Sequence, residues 1–295
     1  MPSMRTDDDV EWKILDPSIL VGHVVGSCPE LQDVYAAAAR RSPPTREQPW
    51  DLLVCFDEWS PGDICNIDNT RKTMVLSFKF EQLGDFALQK DYTWMVPITV
   101  RTTNIKQVMG GWSHLLKRFS HTLLLGDHGA MTVGITVMVH GSPLVIDCRV
   151  KCLSADYDGH RMAYDWRGAT SLRGCIKCSS VFKKGSDLAW RCETCVETTC
   201  VDKTQLIERS TEEFEDDIDL VTDAGGQFAV GAITNTAFEE IQMSTGQNLN
   251  PLGLFACPLL RQYMRALDIM NQDWVHGLLC IGTLVVEIPK KLTAI

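Results

Sequence analysis

Two sets of residues in this chain are spaced as chemistry would need them. The first set is acidic. The apolar run Leu52-Leu53-Val54-Cys55-Phe56 ends abruptly in Asp57-Glu58, and a later β-type run through Leu153 ends in Ser154-Ala155-Asp156-Tyr157-Asp158. A buried strand holds a carboxylate at its end more firmly than a loop does, and metal-assisted phosphoryl chemistry needs its carboxylates held still. The alternative for Asp57-Glu58 is a solvated turn after a core strand. The second set is Cys175-Ile176-Lys177-Cys178 and Cys192-Glu193-Thr194-Cys195, separated by residues 179–191. Each pair can form a knuckle that offers two sulfurs to one tetrahedral Zn²⁺, with Cys200 as a possible substitute ligand. Buried free thiols are the alternative. A redox Cys-x-x-Cys lacks a thioredoxin-like setting here. Further on, Asp273-Trp274-Val275-His276 places an acid and an imidazole three apart. On a helix they share a face, either beside a metal site or as a helix-end hydrogen bond.

The elements that would position these groups can be read from the same pattern. Residues 1–50 form an entry segment with a short helix over Leu31–Arg41, stopped by Ser42-Pro43-Pro44. Asp51–Glu58, Lys72–Phe80 and Tyr92–Val100 read as strands, with Pro97 suited to an edge or a bulge. Asn104–Leu125 has helical spacing, with Asn104 as its cap and Gly110-Gly111 as a weak point. Met131–Val139 and Leu144–Leu153 read as a hairpin around His140-Gly141-Ser142-Pro143. Ala224-Gly225-Gly226 reads as a loop, and Thr236–Met243 and Leu259–Met270 as helices. Three strands, a helix and a further strand outline a ribonuclease-H-like core. If the first and last of these strands are sheet neighbours, Asp57 and Asp156 meet at one end. The expected fold class is therefore α/β (α+β), with a ribonuclease-H-like mixed sheet over 51–168. A four-cysteine zinc knuckle is inserted at 169–205, and an acidic linker and helical part occupy 206–295.

Composition narrows the function. The 295 residues are 45% hydrophobic and 22% charged, a globular balance, and no apolar run is long enough to span a bilayer. The N-terminus lacks the basic and apolar parts of a secretory signal. The 12 cysteines therefore point to a reducing, intracellular setting, nuclear or cytoplasmic, with no membrane. The net charge is −10. Glu212, Glu213, Glu215, Asp216, Asp217 and Asp219 supply six of those charges, and the remainder is still acidic. Tight sequence-independent DNA binding by this chain alone is disfavoured, and the acidic run suits basic protein partners.

Several of these pieces together resemble the DDE-type transposases of eukaryotic cut-and-paste elements, nearest the Plavaka/KDZ-like group. They are Asp57 at a strand end, Asp68-Asn69-x-Arg71-Lys72 before the next strand, Asp156 at a later strand end, Gly174-Cys175-Ile176-Lys177-Cys178, and Asp273-x-x-His276. The resemblance runs from about residue 50 to the end. It implies DNA strand cleavage and transfer with Mg²⁺ or Mn²⁺ on Asp57 and Asp156, with Asp68 or Asp158 as substitutes. Asp273 and His276 would support the site. The family's third acid, a Glu on a late helix, has no counterpart before Ile295, since Glu287 lies in a strand-like run. The expectation is a truncated transposase-derived protein with structural Zn²⁺, its ancestral strand-cleavage activity reduced or lost for want of the third acid. The competing reading is a non-catalytic zinc-binding protein-interaction module.

Overall fold

A computed structural model of the chain describes residues 3–5, 11–59, 72–183, 195–197 and 206–272. In chain order these residues form β1 (Ser3–Arg5), β2 (Glu11–Lys13), α1 (Pro17–Ser27), α2 (Pro29–Arg41), β3 (Trp50–Trp59), β4 (Thr73–Phe80), α3 (Asp85–Leu88) and β5 (Met95–Arg101). They continue with α4 (Thr102–Ile105), α5 (Gly111–Leu125), β6 (Ile135–Val139), β7 (Ser142–Ile146), β8 (Cys148–Ala155) and α6 (Tyr157–Ala163). The last are β9 (Val181–Lys183), β10 (Cys195–Glu197), α7 (Thr211–Ala229), α8 (Asn235–Thr245), α9 (Pro258–Arg261) and β11 (Met270–Gln272). The chain divides into two units, Met1–Gly159 with Ile269–Ile295, and His160–Asp268.

The first unit is mixed α/β. Its main sheet has the order β11-β8-β3-β4-β5. β3 runs antiparallel to β4, and β4 antiparallel to β5, while β8 is parallel to β3 and β11 parallel to β8. A parallel neighbour needs a long crossover. Here α5 and the small β6–β7 sheet lie between β5 and β8 in the chain. The run expected as one strand over Leu144–Leu153 is thus two. β7 completes the hairpin, and β8 joins the main sheet after Asp147. Helix formation is also interrupted where Gly110 and Gly111 take positive φ, so α5 begins at Gly111 and Asn104 is no cap. Pro97 does lie on an edge strand.

Alternation along β3 buries Trp50, Leu52, Val54 and Phe56 on one face. Trp50 packs with Tyr35 of α2 and Phe80 of β4 at ring-centroid distances of 5.9 and 5.5 Å. Further along the same face, Phe56 meets Trp112 at 5.8 Å and Phe78 meets Phe119 at 5.7 Å, both partners coming from α5. This packing fixes the parity of the strand. At the start of β3, Asp51 accepts a hydrogen bond from Arg149 Nε at 2.7 Å and lies 3.7 Å from Lys151 Nζ. Burial opposes the charge on Asp51, but the Arg149 hydrogen bond and the two cations outweigh it and hold its carboxyl below the ordinary value.

In the second unit α7 starts at a capping box, in which Ser210 accepts from the Glu213 amide while the Glu213 carboxylate accepts from the Ser210 amide. The expected acidic linker forms the first half of this helix. Ala224-Gly225-Gly226, read as a loop, lies inside it. Gly225 is there for space: a Cβ would come within 2.6 Å of Leu249 Cδ2. Leu249 joins the cluster of Val221, Ala224 and Phe238 that holds α8 on α7. The expected helix over Leu259–Met270 shortens to α9, and its last residue opens β11.

Two outcomes are expected. Asp51 stabilises the fold above the carboxyl pKa of the unfolded chain, and that contribution is lost as pH falls through its lower folded value. Asp51→Asn should therefore flatten the acid limb of stability against pH in urea unfolding. Gly225→Val should destabilise the second unit by about 1–3 kcal/mol through overpacking against Leu249, read as a lower urea midpoint.

Candidate functional site

The two expected carboxylates lie at the C-terminal ends of β3 and β8, which are parallel neighbours in the main sheet. The last pair of this parallel ladder is Cys55 with Ser154, and Asp57 and Asp156 each lie two residues further on. A β-bulge makes this possible. Leu52 pairs with Val150, but Leu53 pairs with Cys152, so Lys151 is the extra residue. Without that shift Asp57 would stand level with Ala155, and Asp156 would point to the other face. With it, Leu53 and Cys55 share a face with Cys152 and Ser154, the residues that precede the two acids. Adjacent strands lie about 4.8 Å apart, a separation that lets two carboxylates share a cation.

Each carboxylate has one oxygen tied to backbone. Asp57 Oδ1 accepts from the Glu58 amide at 2.7 Å, and Asp156 Oδ1 accepts from the Gly159 amide at 2.6 Å. The second contact is an N-cap on α6, so Asp156 has a structural role whatever else it does. Asp57 is exposed and Asp156 half-buried. Glu58 faces the other way and is engaged, accepting from Lys72 Nζ at 2.7 Å and Thr102 Oγ1 at 2.8 Å. Asp158 is exposed in the first turn of α6. On β11, Asn271 pairs with Ser154, and its side chain donates to Ser154 Oγ at 3.4 Å. Asp273, the residue after Gln272, and His276 lie outside the described residues, as do Asp68 and Glu287.

In the second unit, Cys175 and Cys178 form a tight turn with the two sulfurs 2.9 Å apart. Burial first, and then the neighbouring Cys175, pushes the Cys178 thiol up to about 12. A cation that draws off these protons would have to overcome that shift. The turn is anchored by Ser179 N–H to Ile207 O and Arg209 N–H to Lys177 O, both 2.9 Å. Tetrahedral Zn²⁺ with bonds of about 2.3 Å would set its sulfurs roughly 3.8 Å apart, so the described pair fits one half of such a site with modest opening. Cys192 lies outside the described residues. Cys195 opens β10, which pairs with β9 beside Val181. Among the described residues, no group of three or more His, Cys, Asp and Glu stands close enough together to hold a metal. Among them, too, no helix is long and apolar enough to cross a membrane.

Residue pattern pointed to the acids but not to the Lys151 bulge or to Gly159. The only sequence signal for the latter was a glycine three residues after an acid at a strand end. No protein-family model matches the chain, and no curated protein shows significant sequence similarity to it.

The cap and the ligand role of Asp156 can be separated by substitution. Asp156→Asn keeps an acceptor for the Gly159 amide and should leave the melting temperature nearly unchanged. Asp156→Ala removes the acceptor and should cost about 0.5–2 kcal/mol.

Proposed function

We propose that this chain is derived from a DDE-type transposase with a ribonuclease-H-like core, in which Asp57 and Asp156 hold the divalent ions for DNA strand cleavage and transfer. One observation carries this reading. The strand that carries Asp57 near its C-terminal end is flanked on one side by an antiparallel strand. On its other side, after a crossover through α5, lies the parallel strand that leads into Asp156. That is the arrangement by which such a core would bring two distant acids together.

Bound there, Mg²⁺ or Mn²⁺ would lower the pKa of an attacking water and neutralise charge on the leaving 3′ oxygen. The chain's own contribution is placement. The Glu58 and Gly159 amides fix one oxygen of each carboxylate, and sheet pairing sets the spacing between them. Two carboxylates would leave further positions on a cation to water and to DNA phosphate oxygens. Cys175, Cys178, Cys192 and Cys195 are assigned to a structural Zn²⁺, supported by the shared side of the two described sulfurs.

The competing reading, a zinc-binding module that docks basic partners through the acidic run, draws less support from the side chains. Asp217 is paired with Arg209 and Arg173, Asp219 with Arg261, and Glu212 with Arg265. Much of the run is thus already matched by arginines of the same unit.

The test is nicking of supercoiled DNA in Mg²⁺ or Mn²⁺. Activity should vanish with EDTA and fall at least a hundredfold in Asp57→Asn and in Asp156→Asn. Nicking unchanged in both variants, or none by the wild-type chain in either metal, would overturn the reading. Elemental analysis should find about one zinc per chain, lost in Cys175→Ser. A zinc-free folded protein would remove the knuckle.

A further inference from the structure

We propose that Gly159 is the positioning residue of the acid pair: its amide holds one oxygen of Asp156 and so orients the other toward a divalent cation. The inference rests on the metal-binding reading of Asp57 and Asp156 given above. Gly159 is buried, and its φ is not among the positive ones, so backbone freedom does not explain a glycine here. Space does. A Cβ at this position would lie 2.9 Å from Ala155 Cβ, 3.0 Å from Asp156 Oδ1 and 3.1 Å from Phe56 Cε2. Those three atoms belong to the ends of both acid-bearing strands. Ala155 closes β8 and Asp156 follows it, and Phe56 is the residue before Asp57.

The close approach has a chemical consequence. At 2.6 Å the Gly159 N–H···Oδ1 contact is a short, charge-assisted hydrogen bond that stops the carboxylate from turning. Among the described residues no hydrogen bond reaches Asp156 Oδ2. One oxygen is thus held by the protein and one is presented in a fixed direction, which favours ligation through a single oxygen over a chelating pair. A side chain at position 159 would force a shift against Ala155 at the end of β8 and crowd Asp156 Oδ1 and Phe56 as well. Such a shift alters the spacing of the pair while leaving its charge intact.

The experiment is Mn²⁺ titration of the full chain, followed by calorimetry and electron paramagnetic resonance. Wild type should bind Mn²⁺, and Gly159→Ala should weaken binding at least tenfold while zinc content and far-ultraviolet circular dichroism stay unchanged. In an Asp156→Asn background, which lacks the charge but keeps the cap, adding Gly159→Ala should change Mn²⁺ affinity less than twofold. Affinity of Gly159→Ala within twofold of wild type would overturn the role of Gly159 and leave the acid pair standing. Absence of Mn²⁺ binding by wild type would overturn both. If Gly159→Ala does not fold, glycine-labelled wild type decides. The Gly159 amide signal should broaden at substoichiometric Mn²⁺, and a signal that stays sharp would overturn the proposal.

Discussion

The parity of one parallel strand pair governs what this molecule can do. β3 and β8 are neighbours, and side chains alternate along each of them, so the face on which an acid emerges depends on an odd or even count. The extra residue at Lys151 changes that count once. Before it, Leu52 faces Val150; after it, Val54 faces Leu153 and Cys55 faces Ser154, each two residues short of an acid. A single bulged residue therefore decides whether Asp57 and Asp156, about a hundred positions apart in the chain, share a face.

The bulge is held by forces at the opposite end of the strands from the acids. Lys151 reaches Glu81 at 2.6 Å, and Arg149 binds Asp51. Tyr35, Trp50 and Phe80 pack on the buried face beside them, and Phe56 against Trp112 nearer the acids. Large aromatic side chains in close-packed surroundings leave no room for a register slip. The same strand thus carries an acid near each end with different surroundings. Asp51 is enclosed by cations and serves stability, whereas Asp57 is exposed beside the end of β8.

The second unit uses charge in another way. Its acidic helix looks in sequence like a solvated tract, yet Arg209 is buried against Asp217 and stacks 4.9 Å from the Phe214 ring. Burying one such guanidinium without a partner would be costly, so the acid and the arginine are needed together. The Cys175–Cys178 turn is seated on the chain just before this helix, through Ile207 and Arg209. The helix and the cysteine turn are therefore linked by backbone hydrogen bonds, not by proximity in sequence.

Much of this was legible in the residues themselves. The apolar run before Asp57, the helix ended by Ser42-Pro43-Pro44, the edge placement of Pro97 and the break at Gly110-Gly111 all follow from local preferences, which act between residues a few positions apart. The hairpin strand that proved to be two, and the glycine pair that lies inside α7, were misread for the complementary reason. Leu249, which makes Gly225 necessary, is distant in sequence, and so is the β3 edge that draws Cys148–Ala155 away from the hairpin. Residue types alone nominated Asp57 and Asp156. Only tertiary pairing, with its one-residue bulge, decided that the strand carrying Asp57 and the strand leading into Asp156 are parallel neighbours, because register is set by long-range packing that no local pattern encodes.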